Sequence, residues 1–149
     1  SLAVKIRPFR GSPVKLGFGY GSGTLRARGD LASSPIADDD ISYRHHTLIF
    51  ETEIAWQTRR RGRLELDLQR ERRRFTTDNP FDTSHSGRND ERRDYRARMV
   101  QHLRPSLALV AELRRRSNNA TFPAGFTTSD EVTDFVENRV TLGLAWNPR

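Results

Sequence analysis

The sequence predicts an all-β fold: an antiparallel, up-and-down transmembrane β-barrel with about seven strands in this chain, part of a larger barrel. Three observations carry that expectation. Apolar and polar residues alternate with period two, and successive side chains of a strand point to opposite faces. The connections alternate between short and long, which is the layout of membrane barrels. No run of about 18 apolar residues suits a helical span, whereas a spanning strand needs only about 9–11 residues with every second one apolar.

The elements follow in chain order. Leu2, Val4 and Ile6 open a strand over 2–9, closed by an Arg10-Gly11-Ser12-Pro13 turn. Val14, Leu16, Phe18 and Tyr20 alternate with Lys15, Gly17, Gly19 and Gly21 in a strand over 14–28. The strand 44–58 places Leu48, Phe50, Ile54 and Trp56 opposite Glu51 and Glu53. After the turn 59–62, Leu64, Leu66 and Leu68 oppose Glu65, Asp67 and Glu71 in 63–75. A helix would place Leu64 and Leu68 together but Leu66 on the far side. Tyr95, Ala97 and Met99 oppose Arg96 and Arg98 in 93–103. Arg104-Pro105 turns the chain, since proline donates nothing to a ladder. Leu107, Leu109, Ala111 and Leu113 then oppose Ala108, Glu112 and Arg114 in 106–116. Last, Val140, Leu142, Leu144 and Trp146 oppose Arg139, Thr141 and Gly143 in 136–147. Segments 29–43, 76–92 and 117–135 are long, polar loops.

Residues 1–149 read as one domain of barrel strands, the C-terminal portion of a longer chain. Seven is odd, and single-chain bacterial barrels usually have even strand numbers. At least one further strand is expected on the N-terminal side, or the chain completes a larger assembly. Cysteine is absent, so neither a disulfide framework nor a thiolate metal site is possible. The net charge is +7, from 24 Arg and 2 Lys against 19 acidic residues. Those arginines are spread along the chain and interleaved with carboxylates, so no single basic face for nucleic acid is apparent.

The two faces imply two environments. Leu48, Phe50, Ile54, Trp56, Leu64, Leu66, Leu68, Leu107, Leu109, Leu142, Leu144 and Trp146 are expected to face lipid, with both tryptophans at the periplasmic interface. Glu51, Glu53, Glu65, Asp67, Glu71, Arg96, Arg98, Glu112, Arg114 and Arg139 are expected to face a wet lumen, because such charges are costly in a dry core. The acidic strands 44–58 and 63–75 and the arginine-bearing strands 93–103 and 106–116 either set a transverse field across a pore or zip into a ladder. Arg70, Arg72 and Arg74 extend the outward face beyond its leucines, and Arg115 and Arg116 follow Leu113 similarly. Each would cost roughly 2–4 kcal/mol in mid-bilayer, so they belong at or above the outer rim, where lipopolysaccharide phosphates suit their bidentate fork. Gly17, Gly19, Gly21 and Gly23 leave one face of their strand bare, for a plug, a partner or a sharp curve.

The segment Asp134–Trp146, DFVENRVTLGLAW, resembles the closing strand of many proteobacterial outer-membrane barrels. Ile6-Arg7-Pro8-Phe9 with Leu16-Gly17-Phe18-Gly19-Tyr20, and Leu103 to Leu109, resemble the repeated hairpins of large conduit barrels. Two such groups are similar: one accompanies exopolysaccharide secretion, the other sheathes periplasmic multihaem cytochromes. The resemblance covers nearly the whole chain as a pattern, without a diagnostic motif. It departs at the end, where Asn147-Pro148-Arg149 follow Trp146 in place of a terminal aromatic. It implies the outer membrane of a Gram-negative bacterium, a porin-like transport role, lipid and lipopolysaccharide as surroundings, and a periplasmic or lumenal partner protein.

The function expected is a channel or conduit wall for a polymer, a solute or a partner protein. The alternatives are a non-conducting structural barrel or cytochrome sheath, and a soluble basic β-sheet protein that binds nucleic acid. No cofactor is expected, and without Cys-x-x-Cys-His no covalent haem sits on this chain. No metal site is expected: Asp38-Asp39-Asp40 lacks calcium-loop spacing, and His45 and His46 point to opposite faces. Arg28-Gly29-Asp30 and Asn119-Ala120-Thr121 are short matches to adhesion and glycosylation motifs. Ser84-His85 and His102 with Ser106 are the nucleophile–base candidates, but no catalytic frame is recognisable and no enzyme is expected.

Overall fold

The computed structural model describes residues 1–26, 42–57, 60–77, 85–123 and 134–146. These form seven strands and no helix: β1 (Leu2–Ile6), β2 (Val14–Leu25), β3 (Tyr43–Gln57), β4 (Arg61–Phe75), β5 (Asn89–Arg104), β6 (Leu107–Thr121) and β7 (Phe135–Trp146). They make one open, seven-stranded sheet in sequence order, every neighbour antiparallel. The up-and-down architecture follows from the alternation, because each hairpin keeps apolar residues opposite apolar ones. One row runs Ile6, Leu16, Thr52, Leu66, Ala97, Leu113, Val140 across all seven strands. A slip of one residue would move every leucine of a strand to the other face.

The strand ends differ from expectation where proline and charge decide them. β1 stops at Ile6 because Pro8 has no amide to donate and Phe9 closes a turn, its carbonyl accepting from the Ser12 amide at 3.0 Å. Gly11 there has φ 82°, a conformation glycine adopts at no steric cost. β5 and β6 extend into residues expected as loop, from Asn89 and as far as Thr121. Their polar ends are held by neighbouring charges: Glu91 binds Arg70 and Arg93, and the Arg92 guanidinium donates to Asn118 at 3.3 Å. Asn119-Ala120-Thr121 is therefore strand at the end of β6. Arg28-Gly29-Asp30, Asp38-Asp39-Asp40 and Ser84 lie outside the described residues. The register shifts once, between His102 and Arg104, at the tight Pro105-Ser106 connection.

Burial is inverted relative to a globular domain. Among the described residues only Phe75, Val100 and Ala108 are buried hydrophobics, and all three share the charged face. Val100 is 8% exposed while its neighbour Met99, on the apolar face, is 37% exposed. Leu142 at 73% and Leu113 at 57% stand open on the apolar face. Side chains crowd on the charged side and splay on the apolar side, the asymmetry of a sheet curled toward its charges.

At the short-turn end, the Trp56 ring lies over Gly62 and its indole N–H donates to Gln101 at 3.3 Å. A methyl on Gly62 would sit 2.7 Å from the indole nitrogen, so the ring must leave. Gly143 has nothing within 4 Å of the same position. Gly62→Ala is expected to lower stability by about 1–2 kcal/mol and to weaken the near-ultraviolet circular dichroism of tryptophan. Gly143→Ala is expected to change neither. Equal effects of the two would show that Trp56 is not held this way.

Candidate functional site

The site is a pair of faces on one sheet. On the charged face, the cross-strand rows bring opposite charges side by side at Asp67–Arg96, Glu65–Arg98 and Arg98–Glu112, and like charges at Glu51–Asp67, Glu53–Glu65, Arg96–Arg114 and Arg114–Arg139. Glu51, Asp67, Arg96, Arg114 and Arg139 lie in one row, and Glu53, Glu65, Arg98 and Glu112 in the next. Asp67 meets Arg96 at 2.5 Å, and Asp94 meets Arg114 at 2.5 Å and Arg116 at 3.2 Å. Arg98 bridges Glu65 at 3.4 Å and Glu112 at 3.9 Å. Glu71 pairs with Arg73 on its own strand, and Arg139 with Glu137 at 2.9 Å. The ten charged residues expected on one face therefore share it. Acid and arginine sides zip along adjacent strands, with the arginines of β5 beside the carboxylates of β4.

The glycine strand has a definite role in this network. Gly17 stands between Lys5 of β1 and Glu51 of β3, and its missing side chain lets them meet across β2 at 2.9 Å. Farther along, Ile49 and His45 lean over Gly19 and Gly23. The bare face is covered by side chains of β3.

At the long-loop end the charged face carries a buried clamp that the sequence reading missed. Arg88 reaches Asp90 through Nε at 2.6 Å and a terminal nitrogen at 2.8 Å, and the Asp90 side chain is 0% exposed. The Arg88 guanidinium also lies 4.9 Å from the Phe75 ring centroid and 5.7 Å from that of Phe122. His85 packs on Phe75 at 5.1 Å between centroids and is part of this packing. The signal that would have found the clamp is same-face spacing: five ion pairs join residues two apart, including Arg63 with Glu65 and Glu91 with Arg93.

The apolar face holds all twelve residues expected there, in a band bounded by polar residues above and turns below. It runs over Leu64–Leu68 on β4, Val14–Tyr20 on β2, Leu107–Leu113 on β6 and Val140–Trp146 on β7, and Leu48–Trp56 on β3, which at ~3.4 Å rise is roughly 17–31 Å. Its upper edge passes from Leu2, Tyr20 and Leu48 to Leu68 and Tyr95, then to Leu113 and Val140. It thus steps toward the short turns by four residues, and its lower edge, from Ile6 to Trp146, by six. About five residues over six strand spacings of ~4.8 Å correspond to a strand tilt of about 30° from the band normal. Trp56 and Trp146 both lie at the lower edge, four strands apart.

Above the band stand Arg44, Arg70, Arg72, Arg74 and Arg93, with Arg115. Arg116 is not with them, as the sequence reading had placed it. Period two turns it to the charged face, onto Asp94. His46 is also on the apolar side, its Nδ1 2.9 Å from the Tyr20 hydroxyl, while His45 is on the other, as expected. Glu91 lies above the band and outside it, and hydrogen bonds from Arg70 and Arg93 hold its carboxyl down at about 2. Its folded pKa is depressed, so that pairing is present above the ordinary carboxylate range and is lost as pH falls through about 2. Among the described residues no group of three metal-ligating side chains occurs.

Comparison with family models, with curated proteins and with solved structures finds no match. The functional reading rests on the faces alone.

Arg88→Gln is expected to cost about 3–5 kcal/mol, because it strands the buried Asp90 carboxylate. The double change Arg88→Gln with Asp90→Asn should recover part of that loss. Denaturant melts of the three variants measure it, and equal losses for single and double variants would dismiss the clamp.

Proposed function

We propose that this chain forms part of the wall of an outer-membrane β-barrel, a channel or conduit whose apolar face meets lipid and whose charged face lines the lumen. The observation that carries the reading is an uncovered apolar face: none of its leucines is buried, and Leu48, Leu68, Leu113, Leu142 and Leu144 are exposed, while the opposite face carries paired carboxylates and arginines. A face about 29 Å wide and roughly 17–31 Å tall exceeds the few hundred Å² of apolar patch that soluble monomers expose. Its height suits the ~25 Å apolar band of membrane barrels. Its oblique course suits strands tilted by about 35–45° from a barrel axis. β1 and β7 do not pair with one another, so closure requires further strands on both edges.

The zipped charges shape what the lumen does. Each carboxylate among the described residues of that face has a basic partner, and the basic residues there outnumber the acids, so the wall keeps a modest positive excess. A nucleic-acid role draws less support: the arginines of this face are engaged by carboxylates, and Phe18, Phe50 and Trp56 stand among aliphatic residues on the other. The band would meet a membrane with strands; among the described residues no helix is long and apolar enough to cross one.

The test is conductance across planar bilayers, together with mobility on detergent gels before and after boiling. A closed barrel shifts mobility on heating and conducts. Replacing Arg96 and Arg98 by Gln releases Asp67 and Glu65, so cation selectivity is expected to rise. A heat-shifting protein that does not conduct would support a structural barrel or sheath. Release by salt alone, without a mobility shift, would refute the membrane reading.

A further inference from the structure

We propose that the arginines above the apolar band form a binding site for a phosphorylated, acylated glycolipid of the lipid A type. The proposal rests on the membrane reading of the apolar face and assigns that face a specific lipid. Three observations carry it.

The first is charge. Above the band six arginines face one carboxylate, Glu91, which Arg70, Arg72 and Arg93 share at 2.9, 3.7 and 2.6 Å. Arg44, Arg74 and Arg115 have no acidic partner among the described residues. Arg44 stands directly opposite Arg74, and Arg70 opposite Arg93. Like charges directly opposite destabilise a sheet, so this surface is incomplete without an anion. On the other face the opposed arginines Arg96, Arg114 and Arg139 each reach a carboxylate, Asp67, Asp94 and Glu137, which Arg44, Arg74 and Arg115 do not.

The second is position. Arg70, Arg93 and Arg115 are each the first outward residue above the band on β4, β5 and β6, following Leu68, Tyr95 and Leu113. The line they form descends with the oblique edge of the band. A site for a soluble polyanion has no reason to track that edge, whereas a headgroup layer does.

The third is shape. Two open apolar grooves run up to these arginines. One of about 480 Å³ lies along Phe18, Leu48, Phe50, Leu68 and Tyr95 and reaches Arg70. The other, of about 340 Å³, lies along Leu66, Ala97, Leu113 and Val140 and reaches Arg115. Acyl chains fit the grooves and phosphates the guanidinium forks, which bind phosphate bidentately. Polar headgroup and apolar tail are thus recognised in register on the same strands.

The test uses the intact protein inserted in phosphatidylcholine vesicles, with bis-phosphorylated lipid A or its phosphate-free analogue of equal acyl chains added. Native mass spectrometry after detergent extraction reads which lipid stays bound. Retention of the phosphorylated form is expected to be about tenfold greater, from one or two charge-assisted contacts. Arg70→Gln, Arg93→Gln and Arg115→Gln together should abolish that preference while leaving the heat-dependent gel shift. Should the triple variant fail to insert, Arg115→Gln alone, which breaks no ion pair, should reduce the preference by several fold. Equal retention of both lipids by the unaltered protein would overturn the proposal and leave the barrel standing. So would a preference that survives these changes, or displacement of the lipid by inorganic phosphate at the same concentration. Failure to insert into plain phosphatidylcholine vesicles would overturn both.

Discussion

The strands alternate apolar side chains with charged, polar or small ones, and the sheet keeps that alternation in register across seven strands. The consequence is a separation of phases. Sheet hydrogen bonding satisfies the backbone, so either face tolerates a medium without water as far as the backbone is concerned. The side chains then decide which face takes it. With three buried hydrophobics among the described residues, the sheet has no interior of its own to drive folding. On the reading proposed above, the apolar phase comes from outside the chain and meets it at the band of leucines, valines and aromatics.

The charged face is the counterpart of that band. Exposed ion pairs each contribute little, about 0–1 kcal/mol. Here they form rows, so Asp94 holds Arg114 and Arg116, and Arg98 joins Glu65 to Glu112. Their main effect is specificity, since a one-residue slip of β4 against β5 would turn these carboxylates away from Arg96 and Arg98. Gly17 has the same purpose at the sheet edge, where it lets Lys5 reach Glu51 across β2. The buried Arg88–Asp90 pair, enclosed by Phe75 and Phe122, is the exception in energy: it depends on both partners being present.

Much of this was legible in the sequence because period two is a local signal. Leu64, Leu66 and Leu68 against Glu65 and Asp67 define their faces with no knowledge of neighbours. Strand ends were less legible. Asn89-Asp90-Glu91-Arg92 and Ser117-Asn118-Asn119-Ala120 have turn-like composition, and they extend because Arg70, Arg93 and Asn118 meet them from other strands or farther along their own. The clamp was missed for a similar reason. Nothing in Arg88 announces that Phe75 and Phe122, 13 residues before and 34 after it in the numbering, converge on its guanidinium. Arg116 was misplaced only by failing to apply the alternation beyond Leu113. The pairing of acid and arginine sides needed strand order, which decided between a field across a pore and a zip along the wall.

The measurement that tests the account most directly is quenching of tryptophan fluorescence by lipids brominated at different depths along their chains. Trp56 and Trp146, the two tryptophans of the chain, both lie at the lower edge of the apolar band, on β3 and β7. If that band faces hydrocarbon, bromines near the headgroup quench both strongly and bromines near the bilayer centre quench them weakly. Fluorescence indifferent to every brominated lipid, from a protein that stays in the aqueous phase, would contradict it.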